Sequence, residues 1–205
     1  EKQKSRFGIV KLVNVCDLCN GFAFKSSKFV NDGTPILRIS NIQNGEISTD
    51  KSVYANQSDY KEDLGRYWVN DGDLLLAMSG ATTGKVGINK TGLGFYLNQR
   101  VGLLRPKENL LTEYLFYFLS TKVEQNLSIS AGAAQPNLSS KQIYEIEIPA
   151  VDIETQKSFL RVVEELFNQT SSLERLYSKK LDNLNALKSA ILKQAFAGEL
   201  IKDAA

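Results

Sequence analysis

"DIETQKSFLRVVEELFNQTSSLERLYSKKLDNLNALKSAILKQAFAGEL", residues 152–200, holds no proline and no glycine before Gly198. Apolar residues recur in it every three or four positions, the period of an α-helix. Leu166, Leu173, Leu176, Tyr177, Leu184, Leu187 and Ile191 form one stripe suited to packing against another helix. About 44 helical residues extend roughly 66 Å, further than a domain of about 150 residues can cover. Much of the stripe is thus expected to find its partner outside the globular part; a helix folded back on its own domain is the alternative. Gly198 is placed to end the helix in the left-handed conformation.

Upstream the texture changes. Up to about Val151, short β-type runs alternate with turn signals. "PILRISNIQNGEIS" reads as a hairpin in which residues 36–42 alternate and Asn44-Gly45 supplies the tight turn. "DLLLAM", "GFYL", "VGLLR" and "YEIEIP" are further strands. "TEYLFYFLSTKVEQ" reads as a helix with Thr112 as N-cap and Leu115, Phe118 and Leu119 on its packed side. Ser139 and Gln142 stand where the two ends of a capping box belong. The fold class is α+β: a β-rich mixed domain, residues 1–151, followed by one long C-terminal helix, residues 152–205.

"LLLAMSGATTGKVGI", residues 74–88, places a lysine in a glycine-rich loop after an apolar run. A phosphate-binding P-loop needs four residues between its glycines and Ser or Thr after the lysine. Gly80 and Gly84 enclose three residues, and Val86 follows Lys85, so the Mg²⁺-holding hydroxyl is missing. The loop reads instead as strand, turn, strand.

Composition removes several chemistries. The 205 residues contain no histidine, which excludes Ser-His-Asp and Cys-His catalysis. Two cysteines, Cys16 and Cys19, are too few for a structural zinc site without further Cys or His ligands, and read as small residues at a helix or strand start. The 25 basic and 23 acidic groups leave a net charge of +2, so any basic binding face must be local. Residues 152–205 contribute 8 of each sign, a solvated rod and not a DNA-gripping helix. Apolar runs fall well short of the roughly 20 residues of a membrane span. "EKQKSRFG" lacks the apolar core of a signal peptide, which predicts a cytoplasmic location.

The end of the long helix, "LKSAILKQAFAGEL", closely resembles the signature that closes the conserved helices of type I restriction-modification specificity subunits. "VKLVNVCDLCNGFAFKSSKF", "PILRISNIQNGEI", "GDLLLAMSGATTGKVGI", "LNQRVGLLRP" and "QPNLSSKQIYEIEIPAVDIETQ" follow the family's order along the chain. Val13 stands where the opening motif usually has glycine. The resemblance implies a non-catalytic DNA-reading subunit whose target recognition domain reads one half of a bipartite site. It further implies an antiparallel coiled coil made by the long helices. No cofactor is expected on this chain; S-adenosylmethionine and ATP belong to the methyltransferase and restriction subunits that assemble around it. Full-length members carry two recognition domains and two conserved helices, and this chain carries one of each. It is either a natural half-subunit or one half of a longer protein. A homodimer, or a second half-subunit, would supply the helix's mate. No adjacent prolines, no proline before an aromatic and no "PD" pair occur, so methylation and nuclease motifs are missing.

Reading bases takes paired donors and acceptors, and positioning takes phosphate contacts. Lys25, Ser26 and Lys28 form a basic polar turn. Arg38, Asn41 and Gln43 lie in or beside the hairpin. Ser79, Thr82, Thr83 and Lys85 belong to the glycine loop, Asn98, Gln99 and Arg100 precede a strand, and Gln135 and Asn137 flank Pro136. Motif residues shared by members that read different sequences suit scaffold or phosphate roles. Base readers are then expected in less familiar segments such as "YANQSDYKEDLGRYW", residues 54–68. Two rival readings fit parts of the chain. One is a coiled-coil adaptor that binds protein or RNA, supported by the near-neutral charge. The other is a small carboxylate enzyme using Asp71 and Asp73, although "NDGDLLL" also reads simply as a turn entering a strand.

Overall fold

The computed structural model describes residues 7–123 and 137–198. The chain divides between Lys157 and Ser158 into two compact units.

The first unit stacks helices on a six-stranded sheet and that sheet on a four-stranded one. Its strands are β1 (Gly8–Lys11), β2 (Cys16–Asn20), β3 (Thr34–Leu37), β4 (Ile42–Gln43), β5 (Glu46–Ile47) and β6 (Val53–Ala55). They continue with β7 (Trp68–Val69), β8 (Leu74–Ala77), β9 (Val86–Ile88), β10 (Phe95–Leu97), β11 (Val101–Pro106) and β12 (Glu147–Ala150). The helices are α1 (Leu12–Val15), α2 (Thr112–Ser120), α3 (Ser140–Tyr144) and α4 (Ile153–Phe196). The larger sheet has the order β2-β11-β8-β9-β5-β4, the smaller β6-β3-β10-β7, and β1 pairs with β12 in a separate ribbon.

The apolar run of β8 follows from its central place. Side chains alternate across a strand, so Leu74 and Leu76 join the core under the helices with Leu115, Leu119 and Ile143. Leu75 and Ala77 face the core between the sheets with Leu37, Phe95 and Leu97. A strand covered on both faces has no use for a polar residue. A third, aromatic cluster of Phe24, Tyr60 and Tyr96 around Ile36 fills the outer lobe.

Asn44 (φ 51°) and Gly45 (φ 83°) make the expected tight turn, but the strand before it is not continuous. It breaks after Leu37 into a 3₁₀ turn, Ile39–Asn41. Asn41 Oδ1 accepts from the Arg38 N–H at 3.0 Å, and its amide donates to the Ser48 carbonyl at 2.9 Å. Ile36 and Ile42 therefore serve different sheets and different cores; alternation alone cannot reveal a strand that changes layers. Thr112 is likewise not the cap of α2. Leu111 holds that position, without a side-chain cap. The Ser139 and Gln142 box forms as expected: Gln142 Oε1 accepts from the Ser139 N–H at 2.9 Å and Ser139 Oγ from the Gln142 N–H at 3.3 Å.

α4 starts where Asp152 Oδ1 accepts from the Thr155 N–H at 2.7 Å, an N-cap bond. It runs for 44 residues, about 66 Å, and Gly198 ends it at φ +75°. Within the second unit the stripe residues Leu166, Leu173, Leu176, Tyr177, Leu184, Leu187 and Ile191 are 46–61% exposed. Among the described residues no helix is long and apolar enough to cross a membrane.

Candidate nucleic-acid interface

Five segments meet at one edge of the stacked sheets in the first unit. β2 and β8 both run antiparallel to β11, so Asn20 and Ala77 end beside its first residues. β10 and β3 run parallel, so Leu97 and Leu37 end together. Backbone bonds then tie the loops. The Met78 N–H donates to the Arg100 carbonyl at 2.9 Å, and the Leu138 N–H to the Met78 carbonyl at 2.7 Å. The Phe22 N–H donates to the Leu97 carbonyl at 2.8 Å, and the Asn98 N–H to the Leu37 carbonyl at 3.1 Å. Ser79 bridges Asn137, and the Asn20 amide lies 3.1 Å from Ser140 Oγ. Gly21 is required by this crowding, since a Cβ there would stand 2.3 Å from the Asn98 backbone. A Cβ on Gly80 would come within 3.3 Å of Ile39 Cδ1, which brings the turn after Arg38 against the glycine loop.

The edge is charged unlike the chain as a whole. Segments 20–28, 38–41, 78–85, 98–100 and 137–141 contain Lys25, Lys28, Arg38, Lys85, Arg100 and Lys141 and no acidic residue. The segments that meet at this rim are thus locally cationic and rich in amides and hydroxyls, although Lys28 reaches to the Asp59 carbonyl and Lys141 lies within electrostatic reach of Glu145.

Within this rim the candidates sort by what their side chains already do. Lys25, Ser26, Lys85, Gln99, Arg100 and Asn137 are exposed, and among the described residues Lys25, Lys85 and Arg100 make no ion pair. Lys28 is exposed but engaged: its ammonium bonds the Asp59 carbonyl and sits 4.6 Å from the Tyr60 ring centroid. Arg38 donates from a terminal nitrogen to the Lys51 carbonyl at 3.2 Å. Asn98 Oδ1 accepts from the Arg100 N–H at 3.3 Å, which shapes the turn.

Two candidates leave the interface. Asn41 and Thr83 are 1% and 0% exposed. Asn41 holds the layer change described above, and the Thr83 hydroxyl donates to the Gly80 carbonyl at 2.7 Å. Short polar side chains serve turns as readily as ligands, so sequence could not separate the two uses. Gln43 is exposed on β4, the last strand of the large sheet, with its amide on the Ser40 carbonyl of the rim segment 38–41 at 2.9 Å, so its amide N–H is already engaged. Gln135 lies outside the described residues. Segment 54–68 is braced from within: the Gln57 side chain bonds Glu62 and Leu64, both at 2.8 Å, while Ser58, Lys61 and Arg66 stay exposed. Asn20, Ser140 and Lys141 belong to the rim although, inside quoted motifs, they were not among the candidate contact residues. Their signal was only their position at the end of a strand and just inside a capping box.

Cys16 and Cys19 sit on β2 as free thiols, the first of them buried. Burial pushes the Cys16 thiol up to about 12, which leaves it unreactive near neutral pH. Among the described residues no three His, Cys, Asp or Glu gather to hold a metal. The "GATTGK" loop is the turn of the β8–β9 hairpin and not the lead into a helix.

Residues 4–183 match the family model described as the Type I restriction modification DNA specificity domain. The chain is 28% identical over 201 residues to the Type I restriction enzyme EcoBI specificity subunit of Escherichia coli, covering 95% of this chain and 39% of that subunit. It is 29% identical over 195 residues to the EcoKI specificity subunit of Escherichia coli K12, covering 90% and 41%. The crystal structure of the HsdS subunit from Thermoanaerobacter tengcongensis shares the fold, with a TM-score of 0.69 at 20% identity over 97% of this chain and 47% of that one. The chain therefore spans about two fifths of the curated subunits it matches. A match over most of its length settles its kinship: the chain belongs to the type I restriction modification DNA specificity domain family.

Proposed function

We propose that residues 1–151 form a DNA target recognition domain that reads one half of a bipartite site through the cationic rim. Residues 152–205 act as the spacer and assembly element, pairing as an antiparallel coiled coil with a second copy or a second half-subunit. The chain has no chemistry of its own in this reading. It positions methyltransferase subunits, which bring S-adenosylmethionine, and an ATP-driven restriction subunit, in the cytoplasm. The observation that carries the proposal is the convergence of five segments, without one acidic group, on a single edge of the sheets.

Lys25, Lys85 and Arg100 supply mobile charge for the DNA backbone. Gln99, Asn137 and the Arg100 guanidinium offer the paired donors and acceptors that base edges require. Fluorescence anisotropy with random duplex DNA, with and without methyltransferase subunits, tests binding. Methylation-site mapping of the assembled complex tests reading. Methylation confined to one bipartite sequence supports the proposal, and absence of DNA binding in both conditions overturns it.

A further inference from the structure

Four buried side-chain polar atoms among the described residues have no hydrogen-bond partner: Arg38 Nε, Tyr60 Oη, Ser79 Oγ and Thr82 Oγ1. Three of them lie in the two turns that meet where Ile39 touches Gly80. An unpaired buried donor costs free energy that a native fold seldom leaves unrecovered. Their clustering in two turns at the rim marks a place completed by something else.

Ser79 and Thr82 are only half-buried as residues, although their hydroxyl oxygens are covered. Rotating χ1 by one well, about 120°, can re-aim a hydroxyl with no backbone movement. The backbone is meanwhile fixed by bonds from the Thr83 N–H to the Gly80 carbonyl at 3.1 Å and from the Gly84 N–H to the Ala77 carbonyl at 2.8 Å. Gly80 and Gly84, at φ +81° and +84°, permit that shape. The hydroxyls have neither a donor nor an acceptor beside them, and the adjoining Lys85 and Arg38, with no carboxylate in either segment, favour an anionic acceptor.

We infer that Ser79 and Thr82 form a seat for a single DNA backbone phosphate, their hydroxyls turning outward to donate to its oxygens while Lys85 supplies the charge. The inference rests on the DNA-reading function proposed above. The seat positions the domain on the duplex and carries no sequence information; a hydroxyl that read a base would change the sequence chosen.

The test uses Ser79→Ala, Thr82→Val and the double variant of the full chain with its methyltransferase subunits. The probe is the duplex identified by methylation-site mapping, intact or with one methylphosphonate at successive linkages. The double variant is expected to bind about tenfold more weakly, with an unchanged methylated sequence and a thermal midpoint equal to or above the parent's. At one linkage per half-site, the neutral substitution should reduce the difference between parent and variant to less than about twofold. Equal affinity of variants and parent overturns the seat, as does a loss that persists at every linkage, a lowered midpoint that accounts for it, or an altered sequence. Failure of the parent itself to bind DNA overturns the reading function, and the seat with it.

Discussion

The side-chain oxygen of Gln156 accepts a hydrogen bond of 2.8 Å from the backbone N–H of Leu111. Its amide donates to the carbonyls of Asn109 at 2.9 Å and Val151 at 3.0 Å. One side chain, 1% exposed, thus satisfies three backbone groups at the start of α2 and the root of α4. Gln156→Leu should cost about 3 kcal/mol, since it strands a buried N–H and two carbonyls. Urea unfolding measures it, with the exposed Gln169→Leu as a control expected to change stability by less than about 0.5 kcal/mol.

Lys25, Lys85 and Arg100 are expected to act on DNA as charges. Replacing any one by alanine should weaken binding to all sequences and lower the slope of log K against log salt by about one. Lys28→Ala should also loosen the outer lobe, because that ammonium already rests on Tyr60 and Asp59. Salt titrations of duplex binding check both. A change in the sequence methylated, with affinity intact, would mean that the residue reads bases.

Leu173 lies in the exposed stripe of α4, which the proposed pairing would bury. Leu173→Glu should convert a dimer at micromolar concentration to a monomer in light scattering while leaving the first unit's unfolding unchanged. A parent protein that is strictly monomeric would remove self-pairing. Adding about seven residues, two helical turns, near Ser178 should lengthen the spacer between methylated half-sites. An unchanged spacer would show that the helix does not set the distance.

Asp152 gives α4 a pH-dependent start. Hydrogen bonds from the Thr155 backbone N–H and the Thr155 side chain hold its carboxyl below the ordinary 3.8. A depressed folded pKa contributes stability that is complete above the unfolded value and lost as pH falls through the folded one. Exchange protection of the Thr155 amide should therefore hold at pH 5 and decline below about 3.8. Asp152→Asn keeps a capping oxygen and should abolish that acid-dependent step.

The architecture was legible where one local rule governs each element. The 44-residue helix, its glycine stop, the Asn44-Gly45 turn and the Ser139–Gln142 box all follow from spacing and residue type. Reading failed where the decision is tertiary. Residues 37–40 alternate between apolar and polar, and only the layer above decides that Leu37 ends one sheet and Ile42 begins in another. The same limit governs the rim. Lys25 and Lys28 share one short turn, and sequence could not tell that Lys28 is spent on Tyr60 while Lys25 makes no ion pair among the described residues. Thr82 and Thr83 are neighbours of one type, yet Thr83 is fully buried and bonded while Thr82 keeps an unpaired hydroxyl.

The pairing of β1 with β12 sets Gly8 opposite Ala150 and Lys11 opposite Glu147. Paired backbones in such a ladder lie only about 5 Å apart, so the first and last described strands of this unit lie side by side. A module with its two ends side by side can be lifted out and replaced by another as a cassette, the neighbouring chain feeling only a small gap to close. Exchange of such a unit would therefore meet the neighbouring chain at Gly8–Lys11 and Glu147–Ala150, and at the Asn109 and Leu111 backbone groups that Gln156 holds.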